Sequence, residues 1–200
     1  MGANAKITAD AIVSARWVIP IEPQSSALAQ HALVIKERRI LDLLPKETAR
    51  EKYRSKFDLD LDNQVLLPGL INAHGHAAMT LFRGLADDLP LMTWLNNHIW
   101  PAEQRWVSDD FVTTGTELAI AEMLLSGTTC FSDMYFFPNS VAKAAHRHRI
   151  RAHIYVPMLE FPSVWAKDAD EYVHKGLKVH DDFRNHDLIQ TVKRLGRRRQ

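Results

Sequence analysis

Hydrophobic and polar positions divide the chain into two patterns. From Ala9 to about Leu67 they form short β-like runs, Ala11 to Ile21, Ala32 to Lys36 and Arg39 to Leu44. Pro20, Pro23, the Gln24-Ser25-Ser26 cluster and Pro45 interrupt these runs, because proline and small polar residues favour turns over ladder positions. A small antiparallel sheet is expected here. The pattern changes at Gln64-Val-Leu-Leu-Pro-Gly-Leu-Ile-Asn-Ala-His74, an apolar run without alternation that predicts a strand buried on both faces, as in a parallel sheet.

Further buried strands are predicted over Thr128 to Met134, Ala152 to Met158 and Leu188 to Val192. Helical periodicity lies between them, at Asp109 to Leu125 behind Ser108 as N-cap and at Ser140 to Arg147. Strand alternating with helix argues βα units. Four such strands are half of an eight-stranded barrel, and no internal repeat competes with this reading.

Composition narrows the function classes. A hydrophobic content of 46% permits a real core, while 25 basic and 24 acidic side chains leave a net charge of +1 and no overall field to gather nucleic acid or membrane. Neither partner is expected. One cysteine, Cys130, cannot form an internal disulfide, and no basic segment followed by an apolar stretch marks an export signal, so a cytoplasmic protein is expected. Residues 193–200, Lys-Arg-Leu-Gly-Arg-Arg-Arg-Gln, carry five basic side chains without apolar periodicity and are expected to form a disordered tail or the product of a frameshift.

Candidate chemistry concentrates at His74-Gly75-His76, where the predicted buried strand ends. Side chains at i and i+2 of a strand share a face, so two imidazoles there can close on one cation, and Gly75 allows close approach. The C-terminal end of a buried parallel strand is also where α/β barrels place their chemistry. A second pair with the same spacing, His146-Arg-His148, follows a helical stretch, where such residues diverge, and is expected on the surface.

Pro68-Gly-Leu-Ile-Asn-Ala-His-Gly-His, followed by Met79-Thr-Leu-Phe-Arg-Gly-Leu-Ala-Asp-Asp-Leu-Pro-Leu-Met-Thr-Trp-Leu, resembles the amidohydrolase superfamily. The likeness, which runs from about residue 9 to residue 192, points to its branch of 5-methylthioadenosine/S-adenosylhomocysteine deaminases and triazine chlorohydrolases. The resemblance implies an α/β fold, the N-terminal part of a (β/α)8 TIM barrel with a small flanking β-sandwich subdomain. Residues 1–66 would belong to the sandwich and 67–192 to the first half of the barrel. It implies one divalent ion per subunit, Zn2+, with His74 and His76 as ligands, and a homo-oligomer when full length. It implies a small-molecule purine nucleoside as substrate, with Glu103 on the ribose hydroxyls and Met92 and Trp94 toward the thioether side.

Asp133 is expected to support the site rather than to bind metal, and Cys130 to be a buried thiol. Where the branch carries an arginine near the end of the third strand, this chain has Val156 or Pro157, with Arg151 five residues earlier. That departure bears on how a long or charged 5′ substituent would be held. The resemblance places the remaining metal ligands and the proton-transferring residues beyond residue 200, and His153, His174, His180 and His186 do not stand at their positions. A truncated chain, inactive by itself, is expected. A chlorohydrolase or other heterocycle amidohydrolase, and a non-catalytic remnant, stand as alternatives.

Overall fold

Burial of Ala9 and Ile12 on the first strand, β1 (Ile7–Val18), seeds a small core shared with Ala32, Val34, Ala49 and Tyr53. The computed structural model describes residues 5–22 and 26–192. Within it the chain divides into two units, Met1–Pro68 and Gly69–Gln200.

In the first unit β1 pairs antiparallel with β2 (Leu28–Lys36), and β2 antiparallel with β3 (Arg39–Pro45). Helix α1 (Lys46–Lys52) then returns the chain so that β4 (Tyr53–Leu66) runs parallel to β1, in the order β3-β2-β1-β4. The sheet is mixed, not antiparallel as expected, because a strand reached through a helical crossover re-enters in the original direction. The described residues of this unit form a single sheet.

The second unit holds β5 (Leu70–Asn72), β6 (Thr128–Met134), β7 (Arg151–Tyr155) and β8 (Ile189–Val192), paired in sequence order and all parallel. Between β5 and β6 come a 3-10 turn (Ala77–Phe82), α2 (Leu91–Trp94), a π-helical turn (Leu95–Ile99), α3 (Trp100–Trp106) and α4 (Asp109–Leu125). Helix α5 (Pro138–Arg147) connects β6 to β7, and α6 (Ala169–Asp182) precedes β8. Phe131, Ile154 and Ile189 from the strands pack against Val112, Ile120 and Val141 from α4 and α5.

The predicted run from Gln64 to His74 is two strands. Pro68 and Gly69 fall between β4 and β5, since proline cannot donate to a ladder. Nor is β5 buried on both faces: Leu70 is 57% and Ile71 70% exposed, and β5 stands at one edge of the described sheet, paired with β6 alone.

Helix α4 starts where expected, with Ser108 Oγ accepting the Phe111 N–H at 3.2 Å. It lies so close to the 3-10 turn that a Cβ on Gly115 would stand 2.5 Å from the Ala78 carbonyl oxygen, which only glycine avoids. Helix α5 starts at Pro138 rather than Ser140, the fixed φ of proline suiting a first helical position. No described helix is long and apolar enough to cross a membrane. The expected basic tail lies outside the described residues.

Candidate active site

Strand β5 stops at Asn72, so His74 and His76 stand on the loop beyond it and strand alternation is not what brings them together. Hydrogen bonds to the end of β6 do so. Met134 N–H donates to the Gly75 carbonyl at 3.2 Å, His76 Nδ1 lies 2.7 Å from the Met134 carbonyl, and Ala77 N–H donates to Asp133 Oδ1 at 2.5 Å. On the strand side, Asn72 Oδ1 accepts the His74 N–H at 3.2 Å. A Cβ at Gly75 would meet the Ser132 carbonyl at 3.2 Å, so the glycine lets the loop lie flat on β6. The two imidazoles then face each other edge to face, their centroids 5.3 Å apart.

The chemistry of this pair fits a divalent metal. A carbonyl oxygen can only accept, so His76 carries its ring proton on Nδ1 and leaves the Nε2 lone pair free, the tautomer that a backbone partner fixes in metal-binding histidines. His74 is exposed and His76 half-buried. Among the described residues no third histidine, cysteine, aspartate or glutamate joins them in a cluster able to hold an ion.

Asp133 supports the loop. Its carboxyl is buried, Oδ1 is held by Ala77, and Oδ2 has no hydrogen-bond partner among the described residues. Burial pushes its pKa up to about 7, against the opposing pull of the Ala77 N–H.

His76 lines a cleft of about 350 Å³ together with Glu103 and Tyr135. Its apolar walls include Met79, Leu91, Trp94, Trp100, Pro157 and Leu159. Glu103 reaches it from α3, the last part of a helical rod that begins at Leu91 and widens into the π turn before Pro101. Proline has no N–H for the carbonyl four residues back, so the regular ladder fails at that point.

Glu103 is 8% exposed, and Tyr135 donates its hydroxyl to Glu103 Oε1 at 2.8 Å. Burial holds the Glu103 carboxyl above the ordinary carboxylate range, while the Tyr135 hydrogen bond and nearby His76 pull it down. Burial, with Glu103 and Asp133 nearby, also holds the Tyr135 hydroxyl above its usual range, so it stays a donor.

The structure thus brings His76 and Glu103 into one cleft, with His74 beside His76. Trp94 lines the cleft and donates its indole N–H to the Leu85 carbonyl at 3.2 Å. Met92 is exposed and is not among the lining residues. Pro157 stands in the wall, whereas Arg151 begins β7, at the end of the strand remote from it. Cys130 is half-buried rather than buried, on the same strand as Asp133. His146 and His148 diverge as expected: His146 Nδ1 lies 3.0 Å from His186 Nε2, and His148 lies 3.3 Å from Glu117.

Sequence reasoning missed Tyr135. Its signal was its position one residue beyond the predicted end of β6, at the face where parallel strands present side chains to a site.

Residues 65–196 match the profile of the Amidohydrolase family. The chain belongs to this family. A family member from Saccharophagus degradans, described as a 5-methylthioadenosine/S-adenosylhomocysteine deaminase, is 55% identical over 184 residues, 92% of this chain and 41% of its own length. A 5'-deoxyadenosine deaminase of Methanosarcina mazei is 39% identical over 82% of this chain and 36% of its own. The zinc-bound crystal structure of an adenosine deaminase from Xanthomonas campestris aligns with a TM-score of 0.93 at 41% identity, over 94% of this chain and 43% of that one.

An atrazine chlorohydrolase from Arthrobacter aurescens, complexed with zinc, aligns with a TM-score of 0.79 at 18% identity over 92% of this chain and 46% of its own, a likeness of fold alone. This amidohydrolase chain therefore spans about two fifths of the length of the curated relatives it matches.

Proposed function

We propose that the chain supplies the amino-terminal part of a zinc-dependent amidohydrolase. Its reaction is hydrolytic deamination of purine nucleosides of the 5′-methylthioadenosine/S-adenosylhomocysteine type. Residues 67–192 would form the first half of a (β/α)8 barrel and residues 1–66 part of a flanking sandwich. The observation that carries the reading is one apolar cleft with His76, the half-buried member of the imidazole pair, and the buried carboxylate of Glu103 in its lining.

His74 and His76 would hold the ion, and Asp133 and Met134 fix the loop that presents them. Bound zinc supplies a water of lowered pKa, and so a nucleophile near neutral pH. Glu103 can accept hydrogen bonds from the vicinal hydroxyls of a ribose. The apolar walls exclude water and suit a purine and a thioether. Tyr135 satisfies one oxygen of Glu103 and a vicinal diol can satisfy the other, a pairing that a chlorotriazine, which has no diol, does not offer, and this favours the nucleoside over the triazine reading.

A catalytic zinc site takes three protein ligands and a water, and the described residues provide a pair. The complete, zinc-loaded protein is expected to convert 5′-methylthioadenosine, followed as loss of adenine absorbance. The purified 200-residue chain is expected to show none. Turnover by that chain at a rate near a full-length relative would defeat the proposal that the remaining groups lie elsewhere, and a complete protein inert toward adenine nucleosides would defeat the substrate.

A further inference from the structure

We infer that the Met134-Tyr135 dipeptide at the end of β6 is a gauge that sets the sugar-side carboxylate relative to the metal-side histidine, with Tyr135 a positioning residue for ribose recognition through Glu103. The inference rests on the proposed sugar-binding role of Glu103.

Two adjacent residues make the two contacts. The Met134 carbonyl takes His76 Nδ1 at 2.7 Å, and the next side chain donates its hydroxyl to Glu103 Oε1 at 2.8 Å. The span between the groups is therefore bridged by one peptide unit and one rigid phenol, with two side-chain torsions and none of the slack of a lysine or glutamine link. The Tyr135 ring lies 6.3 Å from the His76 ring and 5.3 Å from that of Phe136, and only 6% of the residue is exposed, so the ring has little freedom to swing.

The hydrogen bond leaves Glu103 usable. A carboxylate has about four lone-pair sites, and the phenol takes one. Oε2 bonds to none of the described residues and is not among the buried atoms sealed without a partner. It is the oxygen available to a ligand. Tyr135 holds Oε1 by donating its hydroxyl, and burial with the Glu103 and Asp133 carboxyls nearby keeps that proton on the phenol.

Removing the hydroxyl alone would free Glu103 without disturbing His76, because the histidine is held by a backbone carbonyl that phenylalanine preserves. The consequence falls on selection of the sugar rather than on the reacting centre.

Adenosine and 2′,3′-dideoxyadenosine differ only in the diol and make the test, applied to the complete zinc-loaded enzyme. Tyr135→Phe is expected to reduce the preference for adenosine about tenfold, the worth of one hydrogen bond to a charged group. The loss should sit in KM for adenosine, with kcat, zinc content and the dideoxy substrate little changed. Glu103→Gln should erode the same preference, and adding Tyr135→Phe to it should cost little more, since both act through one carboxylate. Equal losses on the two substrates, or loss of zinc, in Tyr135→Phe would make the tyrosine structural and overturn the inference. Preference abolished by Glu103→Gln but untouched by Tyr135→Phe would overturn it alone. Preference untouched by Glu103→Gln would overturn the sugar-side reading beneath it.

Discussion

Two histidine pairs share one spacing and end in opposite arrangements. His74 and His76 follow a strand, and the loop that bears them is stitched to β6 until the rings stand 5.3 Å apart. His146 and His148 close helix α5, and each turns to a different neighbour. In the second pair one nitrogen of each ring is engaged by a neighbouring side chain, and by a different one for each. His186 Nδ1 accepts the N–H groups of Leu188 and Ile189 at 3.1 and 3.2 Å, so its proton sits on Nε2 and points at His146. Histidine spacing is therefore not a metal signature by itself. What distinguishes the first pair is a partner strand that orients the rings and a cleft that meets one of them.

The strongest way to break this contrast is to delete the oriented rings. In the complete enzyme His76→Ala and His74→Ala should each lower metal content and activity by about a hundredfold or more, read by zinc analysis and turnover, because each removes a proposed ligand. Full zinc occupancy in either variant would remove the assignment.

The next effect concerns the stitching. Asp133→Ala leaves the Ala77 N–H without its acceptor and should cost about 1–3 kcal/mol in denaturant unfolding, whereas Asp133→Asn, which keeps an acceptor, should cost less. Asp133 also predicts a pH trend in the metal-free protein. Its folded pKa, pushed to about 7 from an ordinary 3.8, means that the folded state holds the proton more tightly than the unfolded chain. Stability from this group should fall as pH rises between those values, and the slope should flatten in Asp133→Asn. An unchanged slope in that variant would show that another group carries it.

Glu103→Gln sharpens the contrast at the cleft. It keeps an acceptor but loses the charge, and should weaken nucleosides about tenfold relative to free adenine. The smallest effect belongs to the second pair: His146→Ala and His148→Ala should change stability by less than about 0.5 kcal/mol and leave zinc untouched, as exposed substitutions do. A loss of metal in either would erase the distinction.

Much of this was legible in the sequence for reasons that can be named. Strand β6, from Thr128 to Met134, and helix α4, from Asp109 to Leu125 with its Ser108 cap, match the patterns that predict them, since core packing and local signal agree there. Strand β4 was missed although Phe57, Leu59 and Leu61 alternate with charged residues as a strand requires; Tyr53 is its one buried residue. The direction of β4 was also invisible, being set by α1 and not by any residue of the strand. At the site, His74, His76 and Glu103 were legible through motif and resemblance. Tyr135 was not, because its partner lies 32 residues earlier and no local periodicity records that contact.

The π turn at Leu95–Ile99 has a consequence for the phase of the rod. An α-helix advances about 100° per residue, so one residue more or fewer in a rod re-phases everything beyond it. The wider turn keeps Leu91, Leu95, Ile99 and Glu103, spaced four apart, along one wall of the cleft. Winding Leu95–Ile99 as a regular α-helix with no change in residue number would over-rotate the rod beyond it and turn Glu103 away from Tyr135, with every side chain in the cleft wall still present. The aim of the carboxylate is thus written in how the rod is wound as much as in the kinds of its residues.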